Sequence, residues 1–478
     1  MLNTVRSFGG VGWLFSHNDL GEGGSSGHFY RPLWVAWNWA IYRLFGAEGV
    51  AFHLGSFLLF ATLALEVWAL VRLLAGERAA WVAGFAFALY PRHGEAVAWL
   101  GGSPDLPAPL LAVAALLCLY SVRRPGLAVA GAAVLGAAAA FGKEIAFVLP
   151  LLAALLLFAY PRERARWLAP LAIAAAQVVV LVVRWQVVGG FGGYGYPLRP
   201  GRAVASVASY VLAAVTPPQL ELAQAFPFFA CAVVVLGLLT WRLVVLRRRR
   251  AREQLRLAYV GGGWFLISLL PLVTLTVDLN DSNGERLLML ASVGLAMVVA
   301  ALVDVRGLAV VAPLLAVLCL ASGYTWVVAG RAERRVIREA VALGPRDGEL
   351  VLLAAPSSYR NAHLFPQPTM DFALRDAGRP DLRSAFCVQV HLRHLERGAV
   401  AAGAGSPGTF AVSTRDGAGI DVPFLRAAAS LTGECAYTPS GSGGWPPGLD
   451  RSALVRPTPT TQPAAIAYFD GHDLRRCC

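Results

Sequence analysis

Apolar segments of membrane-spanning length recur from about residue 53 to residue 329, and the polar residues between them fall into two alternating sets of loops. One set is rich in arginine: Arg72 and Arg78, Arg123 and Arg124, Arg162, Arg164 and Arg166, the run Arg247 to Arg250 with Arg252 and Arg256, and Arg306. The other set carries His28-Phe-Tyr-Arg-Pro-Leu33, His93-Gly-Glu-Ala-Val-Ala-Trp99, Lys143-Glu144 and Glu285-Arg286. Short arginine-rich loops mark the cytoplasmic side of a membrane. The His, Glu and Lys motifs are therefore expected on the opposite side. Ionisable residues gathered at one face of a helical bundle point to a membrane enzyme working at that face.

Composition supports this class. The chain is 57% hydrophobic and only 15% charged, with mean hydropathy +0.57, whereas soluble domains are about one quarter charged. The formal charge of +12 is largely loop arginine. It follows from topology and anionic lipid, so nucleic acid is not an expected partner and membrane lipids are. Cys118, Cys231 and Cys319 lie in apolar spans and read as packing residues. Cys387 and Cys435 can pair if the C-terminal region is extracytoplasmic. The seven cysteines show no zinc spacing, and Cys477-Cys478 lacks a prenylation pattern.

The apolar pattern predicts about ten spans, near 53–73, 79–91, 105–121, 127–141, 145–160, 167–187, 227–246, 257–277, 287–303 and 307–329. In lipid the backbone must satisfy itself, so each is expected to be a helix. Residues 203–218 end in Pro217-Pro218 and read as a re-entrant or interfacial helix, since a full span there would break the arginine alternation. Residues 33–47 are expected to form an amphipathic helix on the outer surface, with Trp34, Trp37, Trp39 and Tyr42 at headgroup level. Three regions follow: a first extracytoplasmic loop with that helix (1–52), a transmembrane bundle (53–329), and a small extracytoplasmic α/β domain (330–478). In the last, 349–356 reads as a buried strand, and 437–462, rich in Pro, Gly, Ser and Thr, as loop or disordered chain. Residues 1–52 contain no run long enough to span. The arginine pattern nevertheless places the N-terminus outside, so a first helix is expected upstream, lost by truncation or a misplaced start.

Several residues invite chemistry. Lys143 is the lone lysine among 41 basic residues. At the outer end of a span it can bind a phosphate as a point charge, or serve as an ordinary interfacial lysine paired with Glu144. Arg286 offers a planar fork to phosphate oxygens; Glu285 beside it suits the first turn of a helix. His93, Glu95 and Asp105 share one loop. If the chain is helical from His93, Glu95 and Trp99 lie on one face. A carboxylate at the interface can act as a base. Tyr30 and Arg31 precede Pro32, which suits a first helical turn. His53 is a lone histidine at a span start, and Asp19 and Glu22 lie in a Gly/Ser-rich segment.

The ordered set resembles the multi-span glycosyltransferases of the C superfamily, and within it the branch containing the transmembrane O-mannosyltransferases with tetratricopeptide repeats and their bacterial relatives. The matching pieces are Tyr30 to Leu33, Phe52-His53-Leu54, Tyr90-Pro-Arg-His93-Gly-Glu95-Ala-Val-Ala-Trp99, Gly102-Ser-Pro-Asp105-Leu106, Lys143-Glu144, Leu270-Pro271 and Glu285-Arg286-Leu-Leu288. They cover roughly residues 28–330. The family's arginine before Asp105 is absent here. The family's acidic residue after its first span would fall upstream of Asn3, and no tetratricopeptide repeat is present. The resemblance implies transfer of a sugar from a polyprenyl-phosphate donor to a hydroxyl of a protein or glycan, on the extracytoplasmic side of the plasma (inner) membrane. It implies Arg286, Lys143 and Arg31 as phosphate ligands, and Glu95 and Asp105 as catalytic carboxylates with His93 orienting one of them. Tyr30, His53, Glu144 and Glu285 would line the site. No metal ligand set or other cofactor is identified. The rival expectations are a lipid-linked sugar flippase, which would show inverted repeats and mid-membrane polar groups, and a non-catalytic relative that only binds the carrier.

Overall fold

The computed structural model describes residues 29–189, 199–222, 224–279, 283–360, 362–365, 369–415, 418–421, 435–439, 449–457 and 464–477, together with Ser16. His28, Asp19 and Glu22 lie outside the described residues. The chain packs as two compact units. The first comprises Met1–Pro218, Phe226–Asp278 and Gly284–Leu320; the second comprises Gln219–Ala225, Leu279–Asn283 and Ala321–Cys478.

The first unit is helical: α1 (Pro32–Phe45), α2 (Gly49–Ala75), α3 (Glu77–Ala88), α4 (Gly94–Ala98), α5 (Pro107–Ser121), α6 (Pro125–Gly142), α7 (Leu149–Ala159), α8 (Ala169–Val188), α9 (Pro200–Val215), α10 (Ala225–Arg248), α11 (Arg252–Ser268), α12 (Met289–Leu302) and the start of α13 (Val305–Leu343). Among the described residues, eight helical segments are long and apolar enough to cross a membrane: Gly49–Ala75, Ser103–Ser121, Pro125–Gly142, Arg164–Val188, Ala225–Arg248, Arg252–Leu272, Glu285–Leu302 and Val305–Leu343. This is a polytopic membrane protein, but two of the ten expected spans fall short of that length. Helix α3 has 12 residues, and Glu144–Ala159 is a short apolar segment. Prolines explain both. Pro91 follows α3 and turns the chain into a 3-10 helix, while Pro161 follows α7; a residue before proline is pushed out of the helical region.

Small residues let the helices approach closely. A Cβ on Gly136 would meet Ile173 at 2.8 Å, and one on Gly142 would meet the backbone of Ala108 at 3.2 Å. The tightest seam joins α11 to α12. Gly261 and Gly294 face one another so closely that a Cβ on either would strike the carbonyl oxygen of the other. Helix α1 has the expected extent. It buries Trp34, Val35, Asn38 and Ile41, a stripe with helical spacing.

The arginine-rich loops meet one another at one end of the bundle. The Arg166 guanidinium donates to the carbonyls of Leu119, Val122 and Arg123. The Tyr120 hydroxyl donates to Tyr160 O at 3.0 Å, and Arg242 to Leu302 O at 2.8 Å. The alternate loops gather at the other end, as described below.

In the second unit, helix α13 runs through the expected boundary at residue 330 without a break. Beyond the apolar span, Ala329, Ala332, Val336 and Ala340 recur at helical spacing and are buried in this unit's core, so the helix continues as an amphipathic one. The predicted strand at 349–356 is present and longer, β1 (Glu349–Tyr359), with an almost wholly buried pattern. That run fits a central parallel strand: β1 pairs in parallel with β3 (Arg383–Leu392) on one side and β10 (Ala464–Phe469) on the other. Across the β1–β3 register, Ser358 lies opposite His391, and its Oγ is 2.8 Å from His391 Nδ1. Burial pushes the His391 imidazole down to about 4, helped by Arg393 and His363. Glu221, from the segment Gln219–Ala225, pairs with Arg393. Burial raises the Glu221 carboxyl pKa, and Arg393 opposes this.

Residues 440–448 and 458–462 lie outside the described residues, and the expectation of loop or disorder over 437–462 does not hold at 437–439 and 452–457. Strands β7 (Cys435–Pro439) and β9 (Ser452–Pro457) lie there and pair antiparallel, with β9 also pairing to β5 (Phe410–Thr414). Burial of Ala453 and Val455 on alternate positions of β9 gives the strand the sidedness that its Pro- and Ser-rich composition hides. Cys387 on β3 and Cys435 on β7 form the expected disulfide.

Candidate functional site

Local backbone choices place the polar residues. After α3 the chain makes a 3-10 turn at Pro91–His93, the five-residue helix α4, and a second 3-10 turn at Ser103–Asp105. The return is tight: a Cβ on Gly102 would strike the Glu95 carbonyl, so no larger residue fits. Gly284 sits at φ +95, a conformation open to glycine, and swings the chain into the 3-10 turn Glu285–Leu288. Lys143 is an extended residue between α6 and the 3-10 helix Glu144–Val148. Arg31 is the N-cap of α1.

These turns bring together residues far apart in sequence. Glu95 accepts from the Arg286 guanidinium, from Arg286 N at 2.8 Å and from Gly284 N at 3.3 Å. Arg286 Nε lies 3.4 Å from Asp105 Oδ2, and Lys143 Nζ donates to Asp105 Oδ1 at 2.5 Å. Asp105 thus holds two cations from two different loops. The Arg286 guanidinium also stacks over the Trp99 ring, 5.2 Å from its centroid, an attractive cation–π geometry. Helix α4 ends at Ala98, so the shared face expected for Glu95 and Trp99 is not helical; Arg286 unites them instead.

A second group adjoins the first through the consecutive residues Lys143 and Glu144. Glu144 Oε1 lies 3.7 Å from Arg31 Nη2, and its Oε2 lies 3.5 Å from Arg184 Nη1. Arg184 also donates to the Tyr30 carbonyl at 3.5 Å. Arg31 stacks over Phe29 at 4.4 Å, and Tyr30 meets Phe141 edge-on. A bond from Trp34 Nε1 to Ser103 Oγ, 2.9 Å, ties α1 to the Asp105 turn. The ion pair of Lys143 is therefore with Asp105 and not with its neighbour Glu144.

Glu285 is the anchor of a third group. It pairs with Arg92, whose Nε and Nη2 donate to Thr216 O and Oγ1 at 2.7 and 3.0 Å. Both side chains of the pair are 1% exposed. Charges so deeply buried need partners, and this set fixes the turn that presents Arg286.

Of the residues expected at the site, Tyr30, Arg31, Glu95, Asp105, Lys143, Glu144, Glu285 and Arg286 are brought to the same end of the bundle. His93 does not take the orienting role expected of it. Its Nε2 is 2.9 Å from Ser292 Oγ, and its ring packs among Phe60, Phe87 and Tyr90, because the 3-10 turn points it into the helix interior. His53 lies on an exposed face of α2. Two participants escaped the sequence reading, Arg92 and Arg184. For Arg184 a signal existed: a single cation within the apolar run Val178 to Val188, where an ionisable residue is costly and usually functional. Among the described residues, no three His, Cys, Asp or Glu side chains gather as a metal-holding set.

The arrangement can hold an anion between cations while keeping carboxylates close to a reacting centre. Comparison with protein-family models, with curated proteins and with solved structures finds no match to this chain.

Proposed function

We propose that the protein is a membrane glycosyltransferase that moves a sugar from a polyprenyl-phosphate donor to a hydroxyl of a protein or glycan. The observation that carries this reading is the pair of cations, Lys143 and Arg286, organised on Asp105 at the end of the bundle opposite the arginine-rich loops. A leaving phosphate needs clamped positive charge where its electron pair arrives, and an oxocarbenium-like centre needs negative charge nearby. Arg286 is the more open of the two cations, with its side chain 12% exposed against 2% for Lys143. It is therefore the group assigned to meet the phosphate first, with Lys143 behind it. Glu95, fully engaged by Arg286 and by two main-chain N–H groups, positions that guanidinium.

Sidedness supports an extracytoplasmic site in the plasma (inner) membrane. The arginine loops suit the cytoplasmic face, and the Cys387–Cys435 disulfide suits an oxidising compartment for the C-terminal unit. The cluster lies in end loops, which favours surface chemistry over passage of a substrate through the bundle.

The test is transfer of radiolabelled hexose from a panel of polyprenyl-phosphate hexoses to envelope protein and glycan, by the full chain in nanodiscs. Arg286→Ala is expected to lower transfer by at least about 100-fold, the scale for losing one transition-state donor, with the protein still folded. Full activity of that variant would remove Arg286 from its role. Movement of the donor across vesicles without transfer would make the protein a flippase.

A further inference from the structure

Four carboxylates of the described cluster, Glu95, Asp105, Glu144 and Glu285, are not equivalent. Glu95, Asp105 and Glu285 have side chains 1%, 3% and 1% exposed, whereas that of Glu144 is 27% exposed. The closed three are also tightly held. Asp105 binds Lys143 at 2.5 Å, Glu95 takes a main-chain N–H at 2.8 Å, and Glu285 is locked to Arg92. Glu144 is held at longer range, 3.7 Å from Arg31 and 3.5 Å from Arg184, beyond the 2.7–2.9 Å typical of a charge-assisted hydrogen bond. Two guanidiniums fix its direction, Arg31 facing Oε1 and Arg184 donating a long 3.5 Å hydrogen bond to Oε2. A base must come within hydrogen-bond reach of the proton it takes, and of these four Glu144 is the most exposed.

We infer that Glu144 is the catalytic carboxylate of the site, the group that receives the proton of the acceptor hydroxyl. This rests on the glycosyltransferase reading given above. In the step, the acceptor oxygen forms its bond to the anomeric carbon. The bond from that carbon to the phosphate oxygen breaks, and its electron pair leaves on the phosphate beside Arg286. The hydroxyl proton passes to a Glu144 oxygen and from there to water. The buried Glu95 and Asp105, expected from sequence to do this work, act through the cations they hold.

Two experiments on the full chain in nanodiscs test the role. In the first, Glu144→Gln is compared with wild type in sugar transfer and in binding of decaprenyl phosphate, which carries no sugar. Removing a general base is expected to cost at least about 100-fold in kcat, with donor KM changed less than about threefold and decaprenyl phosphate bound as tightly or more tightly; Glu144→Asp restores part of the rate. A Glu144→Gln protein that keeps more than about a tenth of wild-type kcat overturns the inference. So does one that loses decaprenyl phosphate binding in step with activity. The second experiment does not depend on the donor. With Cys118, Cys231 and Cys319 replaced by alanine, Glu144→Cys is expected to react with a membrane-impermeant maleimide, while Glu95→Cys and Asp105→Cys are not. An unreactive position 144 overturns the inference. Wild-type protein that transfers no sugar, with position 144 reactive, overturns the donor reading and the role built on it.

Discussion

The Arg92–Glu285 pair gives a prediction whose sign distinguishes a structural ion pair from a surface one. Each side chain is 1% exposed, and Arg92 adds two hydrogen bonds to Thr216. Arg92→Leu leaves Glu285 buried without its partner, which costs about 3–5 kcal/mol, and strips the Thr216 carbonyl of a donor, adding about 1 kcal/mol. The single variant should therefore lose about 4–6 kcal/mol. Glu285→Leu should lose a similar amount by stranding the guanidinium. In the double variant no buried charge is left alone. Replacing a buried pair by apolar side chains is often neutral, so only the Thr216 contacts are lost, about 1–2 kcal/mol. The cycle should show a coupling of at least about 3 kcal/mol. Reversible unfolding in mixed dodecyl maltoside–SDS micelles, followed by the fluorescence of the 13 tryptophans, measures all four proteins. A double variant as unstable as the sum of the singles would refute the reasoning, as would single variants losing less than about 1 kcal/mol.

Gly294→Ala should destabilise by about 1–3 kcal/mol or more, because its Cβ meets the Gly261 carbonyl and lies 2.7 Å from Phe265 N; the same micelle titration reads it, and a neutral effect would contradict the close seam. In the C-terminal unit, His391 has its folded pKa lowered to about 4 from 6.5 by burial. Its contribution is fully present above pH 6.5 and lost as pH falls toward 4, because the unfolded chain then binds the proton that the folded one refuses. The loss is about 3 kcal/mol, and His391→Gln should flatten that stretch of the stability-versus-pH curve measured by calorimetry. Replacing Cys387 and Cys435 by serine opens a link between residues 48 apart. Chain-entropy arithmetic sets the cost near 4 kcal/mol, read as easier proteolysis of the C-terminal unit at fixed temperature; unchanged proteolysis would count against it.

Much of the membrane unit was legible because hydropathy and loop arginine are long-range averages that no single contact overrides. The loop residues Glu95, Asp105, Lys143 and Arg286 were legible for a related reason, since charge between apolar helices has few places to go. What could not be read was pairing. Lys143 stands next to Glu144 but bonds Asp105, because an extended residue sends its side chain away from that of its neighbour. Arg92 looked like part of a turn until Glu285, 193 positions away, supplied its partner. His93 has the residue type of a site histidine, and only the 3-10 turn decides that its ring faces Ser292. In the C-terminal unit, Pro and Ser disguised β7 and β9, whose register comes from neighbouring strands and not from local propensity.

The Gly261–Gly294 seam has a consequence for traffic. Two helices in backbone contact cannot part like curtains without breaking a closely packed line of the bundle. They flank the loop that carries Arg286, so the seam between them leaves no gap for a chain to pass where Gly261 meets Gly294. On the glycosyltransferase reading proposed above, a donor with an isoprenoid tail would have to reach Arg286 through another gap between helices. One wall of the bundle beside that arginine is thus closed by two residues that have no side chain at all.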